Sequence, residues 1–287
     1  MQKFISSNIS YLLWFVLYFL ITWFISGATL IGFFIVLAIY AVSISIALSP
    51  IGEAIVRLTE SCREPATEQE QNYLMPIFEE VYNNAKTANS TLNSAIKLYI
   101  MDAMYVNAFA IGRKTIALTK GAMETFTAEE LKGVLAHEFG HMTYGHTKAL
   151  LLSVIGNFFY SIILWILRLL LSIVESITST FASMNVVILV FRLMAFVLRI
   201  VFEVSTFIFI NLGEIILAIN SRAQEMQADE FSYKIGYGRE QISALYLLQK
   251  IEINAKVKLS ERLKASHPYL SDRIAHLEKL EDEDLKV

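Results

Sequence analysis

The chain has 287 residues, 55% hydrophobic and 18% charged, with a net charge of -3 and a mean hydropathy of +0.50. Soluble domains usually carry about 25% charged residues, so this is a membrane composition. The scattered Lys and Arg residues leave no basic footprint and exclude nucleic acid as a partner, while the single Cys62 can form no internal disulfide and fits no CxxC spacing, which points to a reduced setting and an inert thiol.

Residues 11–48 contain no Asp, Glu, Lys or Arg, a stretch of 38 residues that far exceeds a signal-peptide core. It divides into two runs, 9–26 and 30–48, each close to the length needed to cross a bilayer. Gly27, Ala28 and Thr29 form the turn between them. Residues 1–50 are therefore expected to be an N-terminal transmembrane hairpin rather than a cleaved leader.

After Pro50 the composition turns polar, and residues 51–148 read as a domain with its own core. Tyr73, Leu74, Ile77, Val81 and Tyr82 give residues 67–88 helical spacing, with Pro76 expected to kink or divide the helix. Residues 96–110 and 114–119 read as short strands, with Gly112 and Gly121 as punctuation. A further helix starts at Thr127: its hydroxyl caps the amide three residues on, Glu130 reaches back, and Phe126 and Leu131 form a hydrophobic staple.

That helix carries His137, Glu138, Phe139, Gly140 and His141. Residues four apart share a helical face, so the two imidazoles converge on a point where a tetrahedral Zn²⁺ can take a nitrogen from each. Glu138, one residue past the first imidazole, stands beside the metal, where it can take a proton from the attacking water. His146 falls off the His137/His141 face and off the position of a third metzincin histidine, which Thr147 occupies; it is read as a non-ligand.

A second apolar region covers residues 150–220 and is read as two crossings, one over about 150–171 and another ending near 219. Arg168, Glu175, Arg192, Arg199, Glu203 and Glu214 interrupt it, as cavity-lining or paired charges, with Arg168 expected to snorkel. Glu225 and Asp229 follow, four apart on one helical face, so one carboxylate can bind metal while the other orients a ligand imidazole. His141 and this segment can share a metal only if the intervening region crosses an even number of times, which agrees with the two crossings counted from length. The resulting units are 1–50, 51–148, a second transmembrane pair at 149–220, and 221–287 as the rest of the catalytic domain. The turns around 27–29 and 172–185 contain no Lys or Arg, whereas Arg57, Arg63, Lys86, Lys97 and Lys148 lie on the catalytic side, which orients the active site toward the cytoplasm. His276, on a charged helix, reads as structural. His267, before Pro268, is either a loop residue or an oxyanion donor.

The order of these elements resembles the HtpX-type membrane zinc proteases, relatives of the CAAX prenyl endopeptidases. The resemblance rests on the N-terminal hairpin, the segment 107–112, the HEFGH helix with a hydrophobic pair after it, and SRAQEMQAD followed by His267, Pro268, Arg273 and Ile274. It implies a mainly α, zincin-like protease domain with a small β-sheet and about four transmembrane helices, in the inner membrane. It also implies one zinc per chain, Glu225 as third ligand, Asp229 as the partner that supports it, and His267 or Arg273 as transition-state donors. Implied substrates are damaged or misfolded membrane proteins, with residues 114–119 as an edge strand along which an extended substrate lies; the alternating Ile116 and Leu118 fit that role and fit an ordinary buried strand equally. Competing readings are a prenyl-type peptidase, which needs more membrane helices than four, and an inactive zinc-binding scaffold or metal carrier, which has no use for Glu138.

Overall fold

The computed structural model describes residues 2–25, 27–181, 186–254 and 270–285. Helix α1 (Gln2–Ile25) and α2 (Leu30–Ala47) form the expected hairpin. Gly27 (φ 92°) and Ala28 (φ 51°) turn the chain in the left-handed region. Thr29 then caps α2 by accepting from the Gly32 amide at 3.0 Å, and the Trp23 indole donates to the Thr29 carbonyl at 2.9 Å. Trp14, Tyr18, Val36 and Tyr40 are buried between the two helices. Among the described residues α2 is the one helix long and apolar enough to cross a bilayer, and α1 contributes a shorter apolar stretch, Leu12–Phe24.

Helix α3 (Pro50–Thr59) leads to β1 (Cys62–Arg63), then α4 (Glu68–Ala88), β2 (Lys97–Met101), β3 (Ala108–Ile111), β4 (Thr115–Thr119) and the short α5 (Lys120–Thr125). Helix α4 starts on a capping box made by Thr67 and Glu70 and runs through Pro76 without dividing. The region expected as one strand over 96–110 is two, because Thr119 draws the intervening loop off the sheet: its hydroxyl accepts from the Asn107 amide and contacts the Tyr105 and Asn107 carbonyls. The strand order is β1-β2-β4-β3, with β4 parallel to β2 and antiparallel to β3. This corrects the expectation of an edge strand at 114–119. All five residues of β4 are buried, a run that requires cover on both faces and neighbours on both sides, and the edge belongs to β3.

Arg63 ties the start of this domain together, gripping both oxygens of Glu70 (3.0 and 2.6 Å) and of Asp102 (2.9 Å each). The guanidinium outweighs burial and holds Glu70 at about 2, below its ordinary 4.5. Because the folded-state value is the lower one, this contribution to stability is present above pH 4.5 and is lost as pH falls toward 2. The gap in urea midpoint between the wild type and Glu70→Gln is therefore expected to be full near neutrality and to close over that window.

Helix α6 (Ala128–Tyr144) starts on the expected Thr127/Glu130 capping box and ends at Gly145 (φ 77°). Its apolar face, Leu131, Leu135 and Phe139, is buried with Leu74, Phe78 and Val81 of α4 and with Ile100, Ile116 and Leu118 of the sheet. Phe139 lies against the rings of Phe78 and Tyr82 at 5.7 and 5.8 Å, which fixes the rotation of α6 and turns the histidine face the other way.

Helix α7 (His146–Phe181) and α8 (Val186–Lys234) are both continuous. The unit boundary read at 220/221 falls inside α8, where no proline interrupts the helix; at 1.5 Å per residue its 49 residues span about 73 Å. Arg168 and Glu203 pair across α7 and α8 at 2.9 and 2.8 Å, and Arg199 pairs with Glu175 at 2.5 Å. Two of the charges interrupting the apolar region thus satisfy two others, and Arg168 is paired rather than snorkelling alone. Helix α9 (Gly238–Asn254) and α10 (Leu270–Asp284) close the chain, packing Leu245, Ile274 and Leu277 together.

Candidate metal centre

The site forms where α6 meets the C-terminal end of α8, with α10 behind it. Close approach of the two backbones depends on Gly140. A Cβ there would stand 2.8 Å from Ala228 Cα and 2.9 Å from the Ala228 carbonyl oxygen, both backbone atoms that cannot swing aside. Gly140→Ala is expected to push α8 away at an overpacking cost of about 1–3 kcal/mol and to weaken metal binding more than it lowers stability. Zinc affinity measured alongside thermal unfolding checks this.

His137 Nε2 and His141 Nε2 lie 3.1 Å apart, and Glu225 reaches them at 3.3 Å through Oε2 and 3.5 Å through Oε1. These three are the metal-capable group among the described residues, with every donor atom within 4.8 Å of the others. Two ligands at about 2.05 Å from a tetrahedral ion are about 3.3 Å apart; the imidazole nitrogens, and His137 with Glu225 Oε2, stand close to that separation, while His141 faces the other carboxylate oxygen. Charge fits too. Once both imidazoles are neutral, as ligation requires, Glu138, Glu225 and Asp229 against Arg273 would leave a buried excess of two negative charges, which a dication neutralises.

Asp229 is 0% exposed and receives four contacts: His137 Nδ1 at 2.8 Å, Gln241 Nε2 at 3.0 Å, and Arg273 Nε and Nη2 at 2.7 Å each. Binding Nδ1 fixes the tautomer that leaves His137 Nε2 free to ligate. Burial raises the Asp229 carboxyl, but Arg273 and His137 outweigh it and hold it at about 2. In the metal-free protein burial and the Arg273 charge press the His137 imidazolium down, yet the Asp229 and Glu225 carboxylates prevail and raise it to about 9.

Arg273 is also buried, 6% exposed, and its remaining arm reaches Glu225 Oε2 at 2.9 Å. Its Nη2 is 3.3 and 3.4 Å from the two His137 ring nitrogens, a near-equal spacing that places it against the ring rather than in a bond to either. The structure thus puts Arg273 in the site with its guanidinium engaged by the Glu225 and Asp229 carboxylates. His267 lies outside the described residues. His276 is half-buried and bonds to Glu230 at 3.1 Å, away from the group. Glu138 is 7% exposed, and no described residue hydrogen-bonds its carboxylate.

His146 and its partner Gln227 escape sequence reasoning. His146 is buried, with its Nδ1 3.0 Å from His141 Nδ1 and its Nε2 3.2 Å from Gln227 Oε1. An amide oxygen only accepts, so His146 carries its proton on Nε2 and its Nδ1 accepts from His141 Nδ1–H, which leaves His141 Nε2 bare for a metal. Burial, then the neighbouring His141, holds His146 at about 3, consistent with the neutral form this chain of bonds requires. Offset by five from His141, His146 cannot share its helical face, but Gly145 breaks the helix between them and swings it back. His146→Ala is expected to weaken zinc affinity about 10–100-fold with little change in fold, as read by competition with a chromophoric chelator.

A model of peptidase family M48 matches residues 68–281. The protease HtpX of Chromohalobacter salexigens is 30% identical over 211 residues, covering 63% of this chain and 64% of that protein. The HtpX homologue of Bacillus subtilis is 27% identical over 223 residues, covering 70% and 68% respectively. The chain thus spans just under two thirds of the first of these relatives. The crystal structure of S. mikatae Ste24p aligns with a TM-score of 0.47 and 20% identity, covering 89% of this chain and 57% of that one.

Proposed function

The chain belongs to peptidase family M48, and from that premise we propose that it is a membrane-integrated zinc endopeptidase that cuts damaged or misfolded membrane proteins on the cytoplasmic side. The observation that carries this reading is the convergence of His137, His141 and Glu225 donor atoms within 4.8 Å of one another, with Glu138 next to His137 on the same helix. His137, His141 and Glu225 would hold the zinc, which would supply a Lewis acid able to activate water near neutral pH and polarise a carbonyl. Glu138 takes the proton of the attacking water and passes it to the leaving amine nitrogen. Asp229 and His146 hold the two imidazoles in ligating tautomers from opposite sides. Arg273 keeps Glu225 and Asp229 together by neutralising their mutual repulsion, a positioning role rather than contact with the substrate.

The outer edge of β3 supports an extended substrate. Its backbone has no strand partner on that side among the described residues, and it runs beside α6, so a peptide could add to the sheet next to the metal. Four crossings, α1, α2 and the apolar parts of α7 and α8, return α6 and the end of α8 to one face of the bilayer.

The test uses the full chain in detergent with casein, and in proteoliposomes with a membrane protein carrying an unfolded cytoplasmic segment. Chelator-sensitive cleavage of both is expected. Bound zinc with no cleavage of either would favour a metal-holding scaffold, and cutting confined to a lipidated C-terminal tail would favour the prenyl-type peptidase.

A further inference from the structure

Where α2 ends, a cavity of about 120 Å³ opens between Leu48, Glu53, Gly112, Arg113, Lys148 and Leu151. One water needs only about 10–15 Å³, so a phosphate-sized group fits. The one acidic wall is already committed: Glu53 accepts from the Arg113 amide at 2.7 Å and the Lys114 amide at 3.2 Å, and Arg57 stands 4.0 Å away. The two cations are not. Among the described residues neither the Arg113 guanidinium nor the Lys148 ammonium has a carboxylate partner, and Lys148, half-buried, is pushed below its ordinary value by burial and then by Arg113 itself. Two like charges face this cavity, and its one carboxylate, Glu53, is held on the amides of the β3–β4 turn rather than paired with either of them, an unfavourable arrangement that an anion relieves.

The remaining walls say which anion. Leu48 is the C-cap of the candidate membrane span and is 47% exposed, and Leu151 packs with Ala47 and Ile111 just beneath it. The cations therefore sit at the level where an apolar helix ends, with an exposed aliphatic side chain on the membrane side. Resting on the membrane reading above, we propose that this cavity binds the phosphate of an anionic phospholipid, held by Arg113 and Lys148, with its acyl chains running along Leu48 and α2. The bound headgroup would brace the turn between β3 and β4, which the Thr147 hydroxyl already ties to α7 through the Gly112 carbonyl at 2.5 Å. The lipid would thereby steady the substrate-bearing edge of the sheet against the metal helix.

The test follows thermal unfolding of the full chain in neutral detergent as phosphatidylglycerol, phosphatidylcholine or inorganic phosphate is added, with flotation on phosphatidylcholine vesicles measured separately. Phosphatidylglycerol is expected to raise the midpoint by about 2–5 °C and phosphatidylcholine not at all. The double variant Arg113→Gln, Lys148→Gln should need about 10–30-fold more phosphatidylglycerol for half the shift, with unchanged zinc content and flotation. Equal shifts with both lipids, or a double variant as sensitive as the wild type, would overturn the lipid site. A full shift from inorganic phosphate alone would overturn it in favour of a soluble phosphate. Failure to float would sink the membrane reading and this one with it, whereas floating without a phosphatidylglycerol effect sinks this one alone.

Discussion

Glu138→Gln is expected to lower peptide hydrolysis by about 10²–10⁴-fold, the range for loss of a general base, while zinc stays at one per chain. The substitution keeps shape and polarity and removes the ability to take a proton. None of the three metal-capable donors belongs to Glu138, and no described residue depends on its carboxylate for a hydrogen bond, so the fold and the ligand set have no reason to change. Steady-state cleavage of labelled casein, with metal content measured on the same samples, separates the outcomes. A variant that loses zinc along with activity would make Glu138 structural, and one that keeps full activity would require another base.

Glu225→Ala is expected to lower zinc affinity by more than about 100-fold, beyond the 10–100-fold span seen when residues supporting a ligand are removed. It deletes one vertex of the ligand tetrahedron and strips Arg273 Nη1 of its partner at 2.9 Å. Asp229→Asn provides the comparison. It leaves all three donors in place but exchanges a carboxylate that accepts from His137, Gln241 and Arg273 for an amide that cannot accept at every position. Its loss of affinity should fall within the 10–100-fold span. If the two variants bound zinc equally well, Glu225 would not be a ligand. If Asp229→Asn lost more than Glu225→Ala, the two carboxylates would have to exchange roles.

Local chemistry made parts of the fold legible in the sequence. The Gly27–Ala28–Thr29 turn and the Thr127/Glu130 capping box are decided within a few residues, and both stand where the pattern puts them. The spacing of His137 and His141 is likewise local to one helix, and the expectation that the intervening region crosses an even number of times linked them in advance to the segment holding Glu225. Sheet order was not readable, because it depends on pairings between distant segments. Ile116 and Leu118 alternate as an edge strand or a buried one would, and it is the pairing of β4 with both β2 and β3, together with burial of Thr115, Ala117 and Thr119 on the other face, that makes it interior. A five-residue run with no charged side chain was the available signal.

His146 was hidden for a related reason. Helical offset places it off the ligand face, and that rule fails at Gly145, where the chain enters the left-handed region before α7 begins. A glycine directly before a histidine, just past a metal-binding helix, signals that the offset no longer applies. Gly140 carries a comparable signal, since a glycine inside a helix costs about 1 kcal/mol relative to alanine and calls for a packing reason. Here the reason is the backbone of Ala228. The partners of Arg273 depend on α10 packing across α8, which no local pattern encodes.

The most direct test of the central claim is to strip the full chain with a chelator, titrate zinc back, and follow bound metal and casein cleavage in the same samples. Cleavage that is lost on stripping and returns in proportion to occupancy, saturating at one zinc per chain, is the predicted result. Cleavage that persists in the stripped protein, or stays absent at full occupancy on every substrate offered, would contradict it.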